Sequence, residues 1–171
     1  MINWDALSND IAQYFKSNRA NNENDTADFI SKKYDQYIKF GLNQYSEGLL
    51  STNRNILKPF FYLAFSDAKR GKDLKEVSKR ISTGIVLYWN SVIMKQVVPP
   101  PGSIQVVYNK IIFAGVPFTF NIINTYDSSL LAKSMVTAFK FHTNTIKGIT
   151  VSLVPVGTTT IPKIYYWSGI R

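Results

Sequence analysis

The chain of 171 residues contains no cysteine. That absence excludes disulfides, thiolate nucleophiles and every thiolate-held metal site. It fits folding in a reducing compartment. Histidine is nearly absent too, since His142 is the only one. No histidine pair can hold a metal within one chain, and a histidine-based triad would have to use this single residue. Arginine is sparse beside lysine, five against fifteen, which weakens the case for bidentate grips on phosphates or base edges. No apolar run reaches ~18 residues, so no transmembrane helix is expected. The opening MINWDALSND has two acids and no basic residue, unlike a secretory signal. No glycines fall at GxGxxG or GxxxxGKS/T spacing, and no acids fall at calcium-loop spacing.

What is present is a globular composition: 45% hydrophobic and 18% charged residues put the chain outside the disordered class. Its length suits one compact domain, or a domain with a tail. The net charge of +9 is unevenly spread. Residues 1–76 hold eleven Lys/Arg and ten Asp/Glu, whereas residues 77–171 hold nine Lys/Arg and one acid, Asp127. A basic half can face nucleic acid, an acidic membrane surface or an acidic protein. Its cations are dispersed singles such as Lys95, Lys110, Lys133, Lys140, Lys147 and Lys163, and a dispersed set reads first as a solvated face.

Apolar spacing predicts a first helix from Asn3 as N-cap to about Arg19, with Trp4, Leu7, Ile11, Tyr14 and Phe15 on one face. Ala20–Asn24 reads as a loop. Asp25 is the expected cap of a second helix, which Gly41 would stop. Residues 43–54 read as a connection. A third helix is expected over about Asn55–Lys69, with Pro59 in its first turn. A fourth opens at Asp73, with Glu76 at capping-box distance, and ends before Pro99-Pro100-Pro101-Gly102. After that break the texture of residues 103–124 becomes β-like: Ile104, Val106 and Tyr108 alternate, and Phe118 and Phe120 flank Thr119, which reads as short strands or extended segments. A fifth helix is predicted from Asp127 to about Lys147, with Gly148 past its end. Alternation at Ile149, Val151 and Leu153, then Gly157-Thr158, predicts a terminal hairpin or an extended arm. The expected fold is therefore α+β: a mainly helical body of about five helices with short β segments after the proline break. Residues 1–156 would form the domain and residues 157–171 the arm or hairpin.

A weak internal repeat runs through this pattern. Residues 30–38, 81–89 and 135–143 align with matching apolar phases, Gly84 over Ala138, and a ring at Tyr37, Tyr88 and His142. Each unit would present one aromatic-edged face to its neighbours, with a small residue where another helix approaches. Any three amphipathic helices could also align this well.

Candidates for chemistry are thin. His142 lies among Phe139, Phe141 and Ile146 and reads as a helix flank or subunit contact. Paired carboxylates could serve glycoside hydrolysis, but Asp25, Asp73 and Asp127 read as caps, and Asp5 suits a helix dipole. Asp67 is a non-capping acid. Aromatics beside cations in the basic half, such as Tyr108, Phe113 and Phe118, could stack bases, with core packing as the plainer reading. Tyr165-Tyr166-Trp167 differs, because three consecutive rings in an extended segment cannot all face their own core. These rings, with Lys163 and Ile164, are the candidate partner-binding residues. No metal or cofactor site is expected.

The run Ile81-Ser82-Thr83-Gly84-Ile85-x-x-Tyr88-Trp89, then Pro99–Gly102, a β-rich stretch with Asn109 and Gly115, and a helix at 127–147 resembles small structural proteins of tailed-phage virions, of the tail, neck or baseplate. The resemblance covers roughly residues 74–148. It implies a multi-subunit assembly in a virion, with other virion proteins and the chain itself as partners. It brings no cofactor and no catalytic residues. A basic nucleic-acid-binding accessory protein is the second reading.

Overall fold

In the computed structural model, which describes residues 1–17, 22–95, 99–119 and 127–171, the chain forms five α-helices and two small antiparallel sheets. This is an α+β fold. Helix α1 (Trp4–Ser17) starts where expected, because the Asn3 side-chain oxygen accepts the Ala6 N–H at 3.0 Å. Helix α2 (Glu23–Ile38) starts earlier than predicted: Asn22, not Asp25, is the cap, accepting the Asp25 N–H at 2.9 Å. Asp25 instead adds negative charge to the first turn, where it favours the dipole. Of the expected loop at 20–24, Ala20 and Asn21 lie outside the described residues, while Glu23 and Asn24 are helical.

A 3-10 turn (Arg54–Ile56) leads into α3 (Leu57–Lys69), and Pro59 sits in its first turn, where no N–H is needed. Asp73 caps α4 (Leu74–Asn90) by accepting the Lys75 N–H at 2.9 Å. Glu76 does not close a capping box; its N–H bonds the Asp73 carbonyl. Asp127 caps α5 (Ser128–Thr145), accepting from Ser129 and Leu130.

Strand β1 (Leu49–Ser51) pairs with β2 (Ile93–Met94). The larger sheet has the order β3 (Gln105–Phe113), β4 (Lys147–Val156), β5 (Thr159–Ser168), all antiparallel. Of the two terminal forms expected, the hairpin is found, but it is larger than predicted. Its first strand begins at Lys147, so residues 157–171 are not a separate arm. Gly157 takes φ +60° at the turn, the first position of a two-residue loop that favours glycine. The β-like stretch expected after the proline break forms a strand over Gln105–Phe113 and, among its described residues, not beyond it. Residues 114–119 form no strand, and Phe118 is core, packed against Phe139 and His142; Phe120 lies outside the described residues. Gly148 lies past the end of α5, as expected, but it is already part of β4. It pairs with Trp167 inside the sheet, and a Cβ there would overlap the Trp167 ring.

The core sits where the three aligned units meet. Tyr34 of α2, Trp89 of α4 and Phe139 of α5 are fully buried. The Trp89 indole N–H donates to the Tyr34 hydroxyl at 2.9 Å, and the Tyr34 and Phe139 rings meet edge to face. The Tyr88 hydroxyl donates to Asp35 at 2.9 Å. Burial pushes both tyrosine hydroxyls far above their ordinary pKa, so both stay neutral. Gly84 behaves as the repeat suggests: the Phe60 side chain of α3 lies against it, where a Cβ would come within 2.5 Å. His142 differs from its expected place on a flank or subunit contact. It is fully buried, and neither ring nitrogen has a hydrogen-bond partner among the described residues. Burial lowers its pKa to about 4. Among the described residues no helix is long and apolar enough to cross a membrane.

Candidate binding surface

The loop between α2 and β1 holds the larger sheet to the helical body. Asn43 shapes this loop, because its side-chain oxygen accepts the Tyr45 and Glu47 N–H groups at 2.9 and 3.0 Å. The turn carries Glu47 into the interior, fully buried. One of its carboxylate oxygens, Oε2, accepts from Asn43 Nδ2 at 2.6 Å, Asn109 Nδ2 at 2.7 Å and the Thr150 hydroxyl at 2.8 Å. The Asn109 carbonyl oxygen accepts from the Trp167 indole N–H at 3.1 Å. One hydrogen-bonded chain thus joins the loop to all three strands. Such a buried polar network is stabilising only when its members are paired; the second Glu47 oxygen and the Ser152 hydroxyl have no partner among the described residues.

The C-terminus completes the anchor. Leu42 and Arg171 exchange backbone hydrogen bonds at 2.9 Å, and the Gly169 and Ile170 N–H groups bond Ile146 and Thr143. Ile170 is fully buried beside Gly41, where a Cβ would come within 2.5 Å of its side chain. Gly41 therefore serves close packing, not helix termination.

This anchoring divides the five predicted partner-binding residues. Trp167 is 2% exposed and is corrected to a core residue of its own chain. The reason lies in the pleat: alternate side chains of β5 face opposite ways, and Trp167 points inward over Gly148. Tyr165 also points inward, half-buried, its ring edge-on to Tyr45 and under the Lys163 ammonium at 5.1 Å. Tyr166 points outward and is 68% exposed; Ile164 is 51% exposed. Lys163 is exposed and has no ion-pair partner among the described residues.

Beyond the anchor the hairpin stands clear of the body. Residues 155–164 are all exposed, on both faces. At ~3.3 Å per residue the six exposed positions of β5, Thr159–Ile164, span roughly 20 Å. Val156, Ile161 and Ile164 are about half exposed there.

Two features escaped sequence reasoning. Glu47 and Asn109 lie 62 residues apart, and no local pattern marks them as a pair. A bulge at Val106–Tyr108 also breaks the predicted alternation, turning Tyr108 outward while Val106 pairs with inward-facing Ser152.

The acids have structural employment. Asp67 is buried and ion-paired to Lys72 and Arg80. Burial works to raise its pKa, but those two partners outweigh it and hold the carboxyl below its usual range. Asp35 is held low in the same way by Lys39 and Tyr88 against its burial. No group of acids and histidine among the described residues could hold a metal. A hollow of about 700 Å³ lies between Pro117–Thr119 and α5, lined by Leu130, Lys133, Thr137 and Phe141. No protein-family model, curated protein or solved structure matches this chain.

Proposed function

We propose that the chain is a non-catalytic assembly protein that works through subunit contacts made by its projecting hairpin. The observation that carries this reading is the exposure of residues 155–164 on both faces, with Val156, Ile161 and Ile164 uncovered. An apolar hairpin with an open strand edge is a template for strand addition: backbone hydrogen bonds supply affinity and side-chain pockets supply specificity. The resemblance of residues 74–148 extends the reading to a virion component, in a phage tail, neck or baseplate, whose partners are other virion proteins and further copies of the chain. The buried, neutral His142 and the ion-paired Asp35 and Asp67 support a role other than catalysis, since each is consumed by the fold.

The test shortens the hairpin without unfolding it. Removing residues 157–171 would take away Trp167 and Ile170, so that truncation reports on folding. Replacing Pro155–Thr160 by Asn-Gly instead leaves Val154 and Ile161, which already pair, as the end of a shorter hairpin. The full chain is expected to associate over a concentration series followed by light scattering, while the shortened chain stays single with unchanged circular dichroism. Equal sizes for the two would sink the reading.

A further inference from the structure

The outward face of the larger sheet offers a second surface, closer to the body than the hairpin tip. Across the strands, Tyr108, Val151 and Ile164 form one row, and Lys110, Ile149 and Tyr166 the next. Tyr108 is 41% exposed. Lys147 lies two residues from Ile149 on β4 and shares its face. Beside Tyr166 the surface sinks into a cleft of about 290 Å³ whose lining includes Gln44, Ile112, Lys147, Tyr166 and Ser168. Gln44 and Tyr45 both donate to the Tyr166 carbonyl, at 3.1 and 3.2 Å, so the backbone that carries this ring is fixed. Lys110 and Lys147 form no ion pair among the described residues. The inward face hides Glu47, leaving no carboxylate on the three strands themselves.

We propose that this face binds single-stranded nucleic acid, with one base seated in the cleft against Tyr166 and another over Tyr108. Unpaired lysines on a face without carboxylates complement a phosphate backbone, and exposed rings on a β-sheet give bases a stacking platform. The two tyrosines are two strands apart and offset by one row, ~12 Å by strand geometry. Duplex bases, stacked at about 3.4 Å, hide their faces and cannot meet both rings; splayed bases of a single strand can. Lysine in place of arginine supplies charge without bidentate reading of base edges, so binding tolerates many sequences. A second copy fits poorly, because like faces would bring both lysine pairs together with no carboxylate between them. This inference goes beyond the assembly reading and does not rest on it.

The experiment is fluorescence anisotropy of a labelled dT oligonucleotide of about twenty residues titrated with the full chain from 50 to about 200 mM salt. Affinity should fall steeply with salt. Tyr166→Ala should weaken binding roughly 5- to 150-fold, the range for one lost base stack, and Tyr166→Phe should restore most of it. Lys147→Ala should lower the log–log salt slope by about 0.7. Tyr62→Ala, at an exposed ring on α3, should change nothing. The shortened hairpin should bind as the full chain does, which separates this test from that of assembly. Absence of binding at low salt overturns the proposal. So does a loss equal in Tyr166→Ala and Tyr62→Ala, or polyglutamate binding as tightly with the same dependence on Tyr166, which would mark an acidic protein partner.

Discussion

The helical body and the three-stranded sheet treat their charges in opposite ways. In the body, Asp10 meets Lys33, Asp35 meets Lys39, Glu23 meets Lys69, Asp28 meets Arg54 and Lys58, and Asp67 meets Lys72 and Arg80. In the sheet, Lys110, Lys147 and Lys163 have no carboxylate within reach among the described residues. The body has a closed core at Tyr34, Trp89 and Phe139 yet leaves Phe40 and Phe141 more than half exposed, as the sheet leaves Ile112, Ile164 and Tyr166. The body pairs five of its acids with its own cations; the three strands carry no acid, and the sheet is closed only on the face that holds Trp167 and Glu47.

The sharpest way to break that contrast is to exchange neighbours within β5. Trp167→Ala removes a buried ring that fills the space over Gly148 and strands the Asn109–Glu47 network. A loss of about 3–5 kcal/mol is expected, the usual cost of truncating a buried aromatic, measured by urea unfolding. Tyr166→Ala, one residue earlier, should stay within about 0.5 kcal/mol of the parent, as surface substitutions do. Similar losses for both would mean that the sheet's outward face is also covered.

Acid should sharpen the comparison from the side of the body. His142 titrates near 4 in the folded chain because burial disfavours its cation, against about 6.5 when unfolded. Its contribution is full above pH 6.5. As pH falls toward 4 the unfolded chain gains a proton that the folded chain refuses, and stability drops by about 1.4 kcal/mol per unit, roughly 3 kcal/mol in all. Asp35, Asp67 and Glu23, held low by their partners, add their losses only as the unfolded carboxyls begin to protonate, below about pH 5, so the window from about 6.5 to 5 isolates the histidine. His142→Leu should flatten the stability profile there. An unchanged slope in that variant would place the acid sensitivity elsewhere.

Much of the architecture was legible because its causes are local. Asn3, Asp73 and Asp127 cap helices, Pro59 tolerates a first turn, and Gly157 makes a hairpin turn for reasons written within a few residues. Errors came where long-range packing outranks local pattern. Asn22 and Asp25 are equally good caps by type, so sequence could not choose between them. Gly148 looked like a helix stop, but its absent side chain answers to Trp167, nineteen residues on. Trp167 itself looked like an anchor for a partner because nothing nearby announces Asn109 as its acceptor. Consecutive rings on β5 do split between two faces, as the pleat requires; local pattern could not say which ring goes outward.

The smallest expected effect tests the charge contrast directly. Lys33 sits 2.8 Å from Asp10 and 5.7 Å from the centre of the Phe29 ring. Lys33→Ala should therefore cost about 0.5–1 kcal/mol, since both contacts are only partly shielded from solvent. Lys147→Ala has no such contact to lose and leaves Lys110 with one fewer like charge on its face, so the urea midpoint should stay the same or rise slightly. Salt should separate the two lysines further: screening weakens the Lys33–Asp10 attraction and relieves the Lys147–Lys110 repulsion. The cost of Lys33→Ala should shrink as salt rises, and any gain from Lys147→Ala should vanish with it. If Lys147→Ala instead destabilises the chain as much as Lys33→Ala does, then Lys147 already has a partner within the molecule, and the sheet's cations are no longer free for an anionic one.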